Sequence, residues 1–151
     1  MLRDAFNERL KAALRARDGV TVRTVRLVLA ALKDRDIAQR GTAHPEPLAD
    51  PDILRLLQGM IKQRREAIEL YEKGGRPELA AQEAAEIAVI ESFLPRQLGD
   101  DEIAAAAKAA IAESGAAGVK DMGKVMAILR QRHAGVIDLA RAGPVVRALL
   151  G

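Results

Sequence analysis

The sequence contains no cysteine and only two histidines, His44 and His133. That excludes a disulfide framework, a thiolate metal site and a thiol nucleophile, and two distant imidazoles do not supply zinc-ligand spacing. No stretch follows the carboxylate pattern of a calcium loop either, so neither a metal nor a cofactor is expected. Serine is equally scarce, with Ser92 and Ser114 joined to the histidines by no motif, and hydrolase chemistry has no starting point. Gly115-Ala-Ala-Gly118 lacks the preceding strand and the following Lys-Ser/Thr of a phosphate cradle, so ATP binding is not indicated and no catalytic residue is assigned. Aromatics are limited to Phe6, Tyr71 and Phe93, too few for a platform that stacks single-stranded RNA. No run approaches the ~20 apolar residues of a membrane span, and the N-terminus mixes Asp and Glu into its pattern. Together these absences predict a cytoplasmic protein with no membrane role.

What is present suits a globular chain: 49% of residues are hydrophobic and 30% charged, and the core must be built from Leu, Ile, Val, Met and Ala. The net charge of +3 conceals an uneven distribution. Residues 1–40 hold ten Lys/Arg against five Asp/Glu, residues 77–102 hold one against seven, and residues 119–151 hold six against two. Both ends are basic and the middle is acidic.

Periodicity predicts helices throughout. Leu2, Phe6, Leu10 and Leu14 share one face of a helix over 2–17 that Asp18-Gly19 breaks. A second helix is expected from Thr21 to Arg40. Residues 41–49 read as a loop, and Asp50-Pro51 as the N-cap and first residue of a long third helix ending at Gly74-Gly75. A fourth helix over 79–94 completes an antiparallel hairpin. Pro95 to Gly99 reads as a linker with the domain boundary near residue 97. Three short helices follow, over about 103–114, 121–133 and 138–150, with a kink or a late start at Pro144 in the last. The expected architecture is all-α: an N-terminal helical-hairpin domain over 1–97 and a small three-helix tail over 98–151.

The acidic pairs Asp34/Asp36 and Asp100/Asp101 sit at helix ends, where Asp is ordinarily solvated or capping. The basic residues offer more. Lys62, Arg64 and Arg65 on the third helix, and Lys120, Lys124, Arg130 and Arg132 around the sixth, suit phosphate contact. Lys62–Glu66 and Arg65–Glu69 equally suit surface ion pairs one turn apart. Lys120 and Lys124 stand at i and i+4, and Gly123 between them permits either close backbone approach or helix packing. Met122 and Met126 read as core.

Three stretches, RLVLAALKDRDIA at 26–38, MIKQRREAIELYEKGGRPELAAQEAAEIAVIESFLPRQL at 60–98 and GVKDMGKVMAILRQRHAG at 118–135, together resemble the YqeY family. The resemblance implies an all-helical N-terminal part and a three-helix tail similar to the C-terminal portion of the B subunit of the glutamine-dependent tRNA amidotransferase. It implies tRNA as partner, with an amidotransferase or aminoacyl-tRNA synthetase component beside it. The family label of carbon–nitrogen ligase activity with glutamine as amide donor finds no amidase or ATP constellation in these residues. The expected role is therefore an RNA-binding accessory of glutamine-dependent tRNA amidation, and the alternative is a helical protein-interaction adaptor whose basic faces are merely solvated.

Overall fold

A computed structural model describes residues 1–151 as seven α-helices, one 3-10 turn and no strand. The chain divides into two compact units, Met1–Leu94 and Pro95–Gly151.

The N-terminal unit holds α1 (Leu2–Ala16), α2 (Gly19–Gln39), α3 (Asp50–Lys73) and α4 (Pro77–Glu91). The α1–α2 corner differs from the expectation. Arg17, not Gly19, adopts the left-handed conformation (φ 55°), and the Asp18 N–H closes on the Ala13 carbonyl at 2.9 Å. Gly19 is already helical because Asp18 caps α2, its carboxylate accepting from the Thr21 backbone N–H at 3.1 Å and the Thr21 hydroxyl at 2.6 Å. Those bonds hold the Asp18 carboxyl below the usual carboxylate range.

Asp50 does not cap α3. Ala49 occupies that position, Pro51 sits in the first turn, and Asp50 accepts the Leu2 N–H at 3.4 Å. Gly75, with φ +70°, closes the far end of α3, and the short Gly74–Arg76 connection folds α4 back against it. The core of this unit gathers Phe6, Val25, Val28, Ile53, Leu57 and Ile90. Phe6 and Phe93 meet edge to face with centroids 4.8 Å apart, and the Arg9 guanidinium lies over Phe93 at 5.1 Å.

The 41–49 loop is fastened at its end: Leu48 is buried, and its N–H donates to Asp36 Oδ1 at 2.9 Å. Arg3 forks onto the same carboxylate at 2.8 and 2.9 Å and donates to the Leu48 carbonyl at 3.0 Å. Asp36 was expected to be a solvated or capping helix-end residue; it is instead the centre of a clasp joining α1, α2 and the loop.

The C-terminal unit holds α5 (Asp100–Ser114), a 3-10 turn (Val119–Asp121), α6 (Met122–Arg132) and α7 (Leu139–Leu150). Pro95–Gly99, expected to be a linker, is bonded into this unit: the Leu98 N–H donates to the Val136 carbonyl at 2.9 Å and Gln97 Nε2 to the Gly135 carbonyl at 2.8 Å. Its three helices meet through Ile103, Ala107 and Ala110, Val125 and Leu129, and Ala142 and Val146. Each set follows the three- or four-residue spacing of one helical face, and alanine on two of the three faces lets the backbones approach. On α7, Ala142 and Val146 are buried while Leu149 is 42% exposed.

Pro144 neither delays nor interrupts α7, which runs unbroken from its Asp138 cap. The ring removes the donor that would have reached the Ala140 carbonyl, and both residues lie on the exposed side of the helix, where a carbonyl is open to solvent. At the start of α5, Glu102 accepts the Gly99 N–H at 3.2 Å and pairs with Arg96 at 2.9 Å. The Arg96 guanidinium chiefly, with the Gly99 N–H, holds the Glu102 carboxyl down at about 2.

Candidate nucleic-acid interface

The basic residues that the sequence groups together fall into two kinds once their partners are visible. Arg64 is a structural cation: its side chain is 13% exposed, its Nε donates to Glu86 at 2.9 Å, and its Nη1 donates to the Met60 carbonyl at 3.2 Å. Arg65 reaches across to Glu91 on α4 at 3.5 Å. Lys62 is exposed and makes no ion pair with Glu66. The three belong to the N-terminal unit, whereas Lys120, Lys124, Arg130 and Arg132 belong to the other.

In the C-terminal unit Arg132 is committed to Glu113 at 2.8 Å, Arg96 to Glu102, and Arg141 to Asp100. Lys108, Lys120, Lys124, Arg130 and Arg147 are exposed and unpaired. The acids are the reverse. Asp121 accepts the Ala117 N–H at 3.0 Å and Asp138 caps α7, so with Asp100, Glu102 and Glu113 already engaged only Asp101 has no partner. Five uncommitted cations therefore face solvent against one uncommitted carboxylate.

Placement sharpens the asymmetry. Lys120 lies in the 3-10 turn and Lys124 in the first turn of α6, where backbone N–H groups converge and the helix dipole is positive. A cation there is locally unfavoured by a few tenths of a kcal/mol unless an anion joins it. Asp121, the acid at this end, has its carboxylate turned to the Ala117 N–H. A Cβ built on Gly123 would meet nothing within 4 Å, so no helix packs there and the helix-packing alternative drops out. Arg130 is about 120° from Lys124 around α6 and faces a different side. Met122 and Met126 are half-buried against the tail core.

Arg147 is a residue the sequence reading missed. It stands on α7 beside a shallow cleft of about 370 Å³ formed with Met122, Gly143, Pro144 and Ala148. The signal was the placement of a lone Arg one residue after an inward Val146, which only the packing of α7 against α6 gives meaning. In the N-terminal unit a groove of about 560 Å³ opens between α2 and α3 along Leu27, Ala31, Leu56 and Met60, with Asp34, Arg35 and Arg55 on its rim.

Neither serine is arranged as a nucleophile. The Ser92 hydroxyl donates to the Val89 carbonyl at 2.5 Å and accepts from Arg9, and the Ser114 hydroxyl donates to the Ile111 carbonyl at 3.0 Å. No three metal-ligating side chains converge. No helix is long and apolar enough to cross a membrane.

A family model for YqeY-like proteins matches residues 3–150. The chain belongs to the YqeY-like family. Relatives include altered inheritance of mitochondria protein 41, mitochondrial, from Eremothecium gossypii, 31% identical over 85 residues that make up 56% of this chain and 44% of the relative. The protein of that name from Lachancea thermotolerans is 31% identical over 56% of this chain and 43% of its own length. An uncharacterized Schizosaccharomyces pombe protein is 27% identical over 62% of this chain and 72% of its own length. The YqeY-like chain thus spans less than half the length of the mitochondrial relatives. Their names overturn the expectation of a cytoplasmic protein. That expectation rested on missing cysteine and missing apolar segments, and neither separates the cytoplasm from the interior of an organelle.

Proposed function

We propose that the C-terminal unit of this YqeY-like protein is an RNA-binding module that grips phosphates, with tRNA as its RNA and glutamine-dependent tRNA amidation as the process it assists. The observation that carries this reading is the set of five unpaired cations facing one free carboxylate. Within that set Lys120 and Lys124 flank the open Gly123 at the positive end of α6, where a phosphate would gain from both side chains and backbone. Phe6 and Phe93 pack together in the other unit, so contact is by backbone and shape rather than by aromatic stacking.

The test is fluorescence anisotropy with total tRNA and a duplex DNA of matched charge across a salt series. Wild type binds tRNA in preference to the duplex at physiological salt. Lys120→Ala with Lys124→Ala weakens tRNA binding and lowers the magnitude of the salt slope by roughly 1.4 to 1.8, the share of two phosphate contacts. Unchanged affinity and slope in the double variant reject the surface.

A protein-adaptor reading has one observation of its own, the apolar-floored groove between α2 and α3 beside the 42% exposed Leu27. It places partner binding on the N-terminal unit, so Leu27→Glu abolishes it while leaving tRNA affinity unchanged.

A further inference from the structure

The proposed RNA surface carries a feature that phosphate contact does not use. Met122 at the start of α6 and Gly143, Pro144 and Ala148 on α7 line a shallow apolar cleft of about 370 Å³, at the small end of the ~300–1,000 Å³ typical of ligand sites. A Cβ on Gly143 would lie 3.7 Å from Met122 Cε, so the methionine methyl packs close to the glycine and the two form one side of the cleft. The one charged group on its lining is Arg147, exposed and unpaired. Lys120 and Lys124 bracket Met122 in sequence and are unpaired as well. An apolar slot whose one charged lining residue is an exposed, unpaired Arg, with no acid on the lining, fits an occupant with a flat apolar face attached to a polyanion.

We propose that this cleft seats a single unstacked nucleobase of a structured RNA, with the Arg147 guanidinium lying against the base. The proposal rests on the RNA-binding reading and deepens it. A guanidinium plane supports a base much as an aromatic ring does, and single-stranded RNA is ordinarily read on such planes. With Phe6 and Phe93 enclosed in the other unit, Arg147 is the planar side chain that this cleft offers. The prediction is a preference for RNA with splayed-out loop bases over a perfect duplex of equal charge.

Anisotropy titrations with total tRNA and a blunt-ended RNA duplex of matched charge separate the possibilities. Arg147→Lys keeps the charge and removes the plane, so tRNA affinity falls about fivefold to tenfold, the worth of one desolvated base face, while the duplex affinity and both salt slopes hold. Gly143→Leu fills the cleft and produces the same selective loss. Ala148→Leu, at an exposed helical position, repeats the filling without entering the core, and a circular-dichroism melt of each variant confirms folding. If Gly143→Leu does not fold, Arg147→Lys and Ala148→Leu decide between the outcomes. Variants that bind tRNA like wild type, or a wild type that binds tRNA and duplex equally, overturn the cleft proposal and leave the phosphate surface standing. A wild type that binds neither RNA overturns the RNA-binding reading itself, and the cleft proposal with it.

Discussion

Arg64→Met tests whether the basic middle of α3 serves RNA or the fold. Methionine keeps most of the stem and deletes the guanidinium, so Glu86, whose side chain is 9% exposed, loses its 2.9 Å partner and the Met60 carbonyl loses a donor. Breaking a buried ion pair from one side costs about 3–5 kcal/mol because the surviving charge stays desolvated. Here Glu86 retains Arg23 at 3.6 Å, but Arg23 is 47% exposed and its attraction is screened by solvent. The expected loss is therefore nearer ~2–3 kcal/mol, with a fall in Tm of roughly 10–20 °C for a unit of this size. Urea denaturation followed by circular dichroism measures it. Arg64→Met with Glu86→Leu removes both charges and recovers most of the loss, since an apolar pair of similar volume replaces a desolvated ionic one. A single variant within ~0.5 kcal/mol of wild type refutes this account of Arg64. If that same variant also loses tRNA affinity, Arg64 is an RNA contact.

Two stability predictions follow from the corners of the N-terminal unit. Arg3 chiefly, and the Leu48 N–H against the cost of desolvation, hold the Asp36 carboxyl below its ordinary range, so its contribution is complete above the unfolded pKa of about 3.9 and is lost as pH falls through the lower folded value. Asp36→Asn should cost about 1–2 kcal/mol at pH 7, and urea midpoints of the two proteins should converge below about pH 4; a gap that does not change with pH contradicts the clasp. Arg17, an exposed non-glycine residue at φ 55°, should favour replacement: Arg17→Gly raises stability by up to about 1 kcal/mol, read as a higher Tm, and a lower Tm would show that the Arg17 side chain makes a contribution larger than the backbone strain.

The helices were legible because their inward positions repeat at helical spacing and because Gly74-Gly75 and Gly115 mark their ends. Their starts were less so. Asp18 and Asp50 are both good capping residues preceding an apolar stripe, yet only Asp18 caps; Asp50 is taken into the helix, and its carboxylate meets the N-terminus of α1, 48 positions away in sequence. Asp36 was misplaced for the same reason, since nothing local distinguishes a helix-end aspartate facing water from one facing Arg3. The candidate site was legible in kind but not in membership. One-turn spacing offered Glu66 and Glu69 as partners for the cations of α3, whereas the hairpin supplies Glu86 to Arg64 and brings Glu91 within reach of Arg65. Lys62 was left alone.

The uneven charge along the chain has a physical account in these pairings. The acidic α4 provides Glu83 and Glu86 to Arg64, Glu86 to Arg23 and Glu91 to Arg65, so the negative middle neutralises cations of α2 and α3 within its own unit. The basic C-terminal stretch has no such counterpart. Asp100 and Glu113 on α5 take Arg141 and Arg132, which belong to the edges of the three-helix core, and leave Lys120, Lys124, Arg130 and Arg147 unmatched. Burial does not force that choice, because all four are exposed, and α6 begins with a lysine near its positive end where an acid would be stabilising. A surface arranged for solubility alone intersperses both signs. One that keeps its cations free, with its carboxylates tied to caps and internal pairs, is what the phosphate contact proposed for this unit requires.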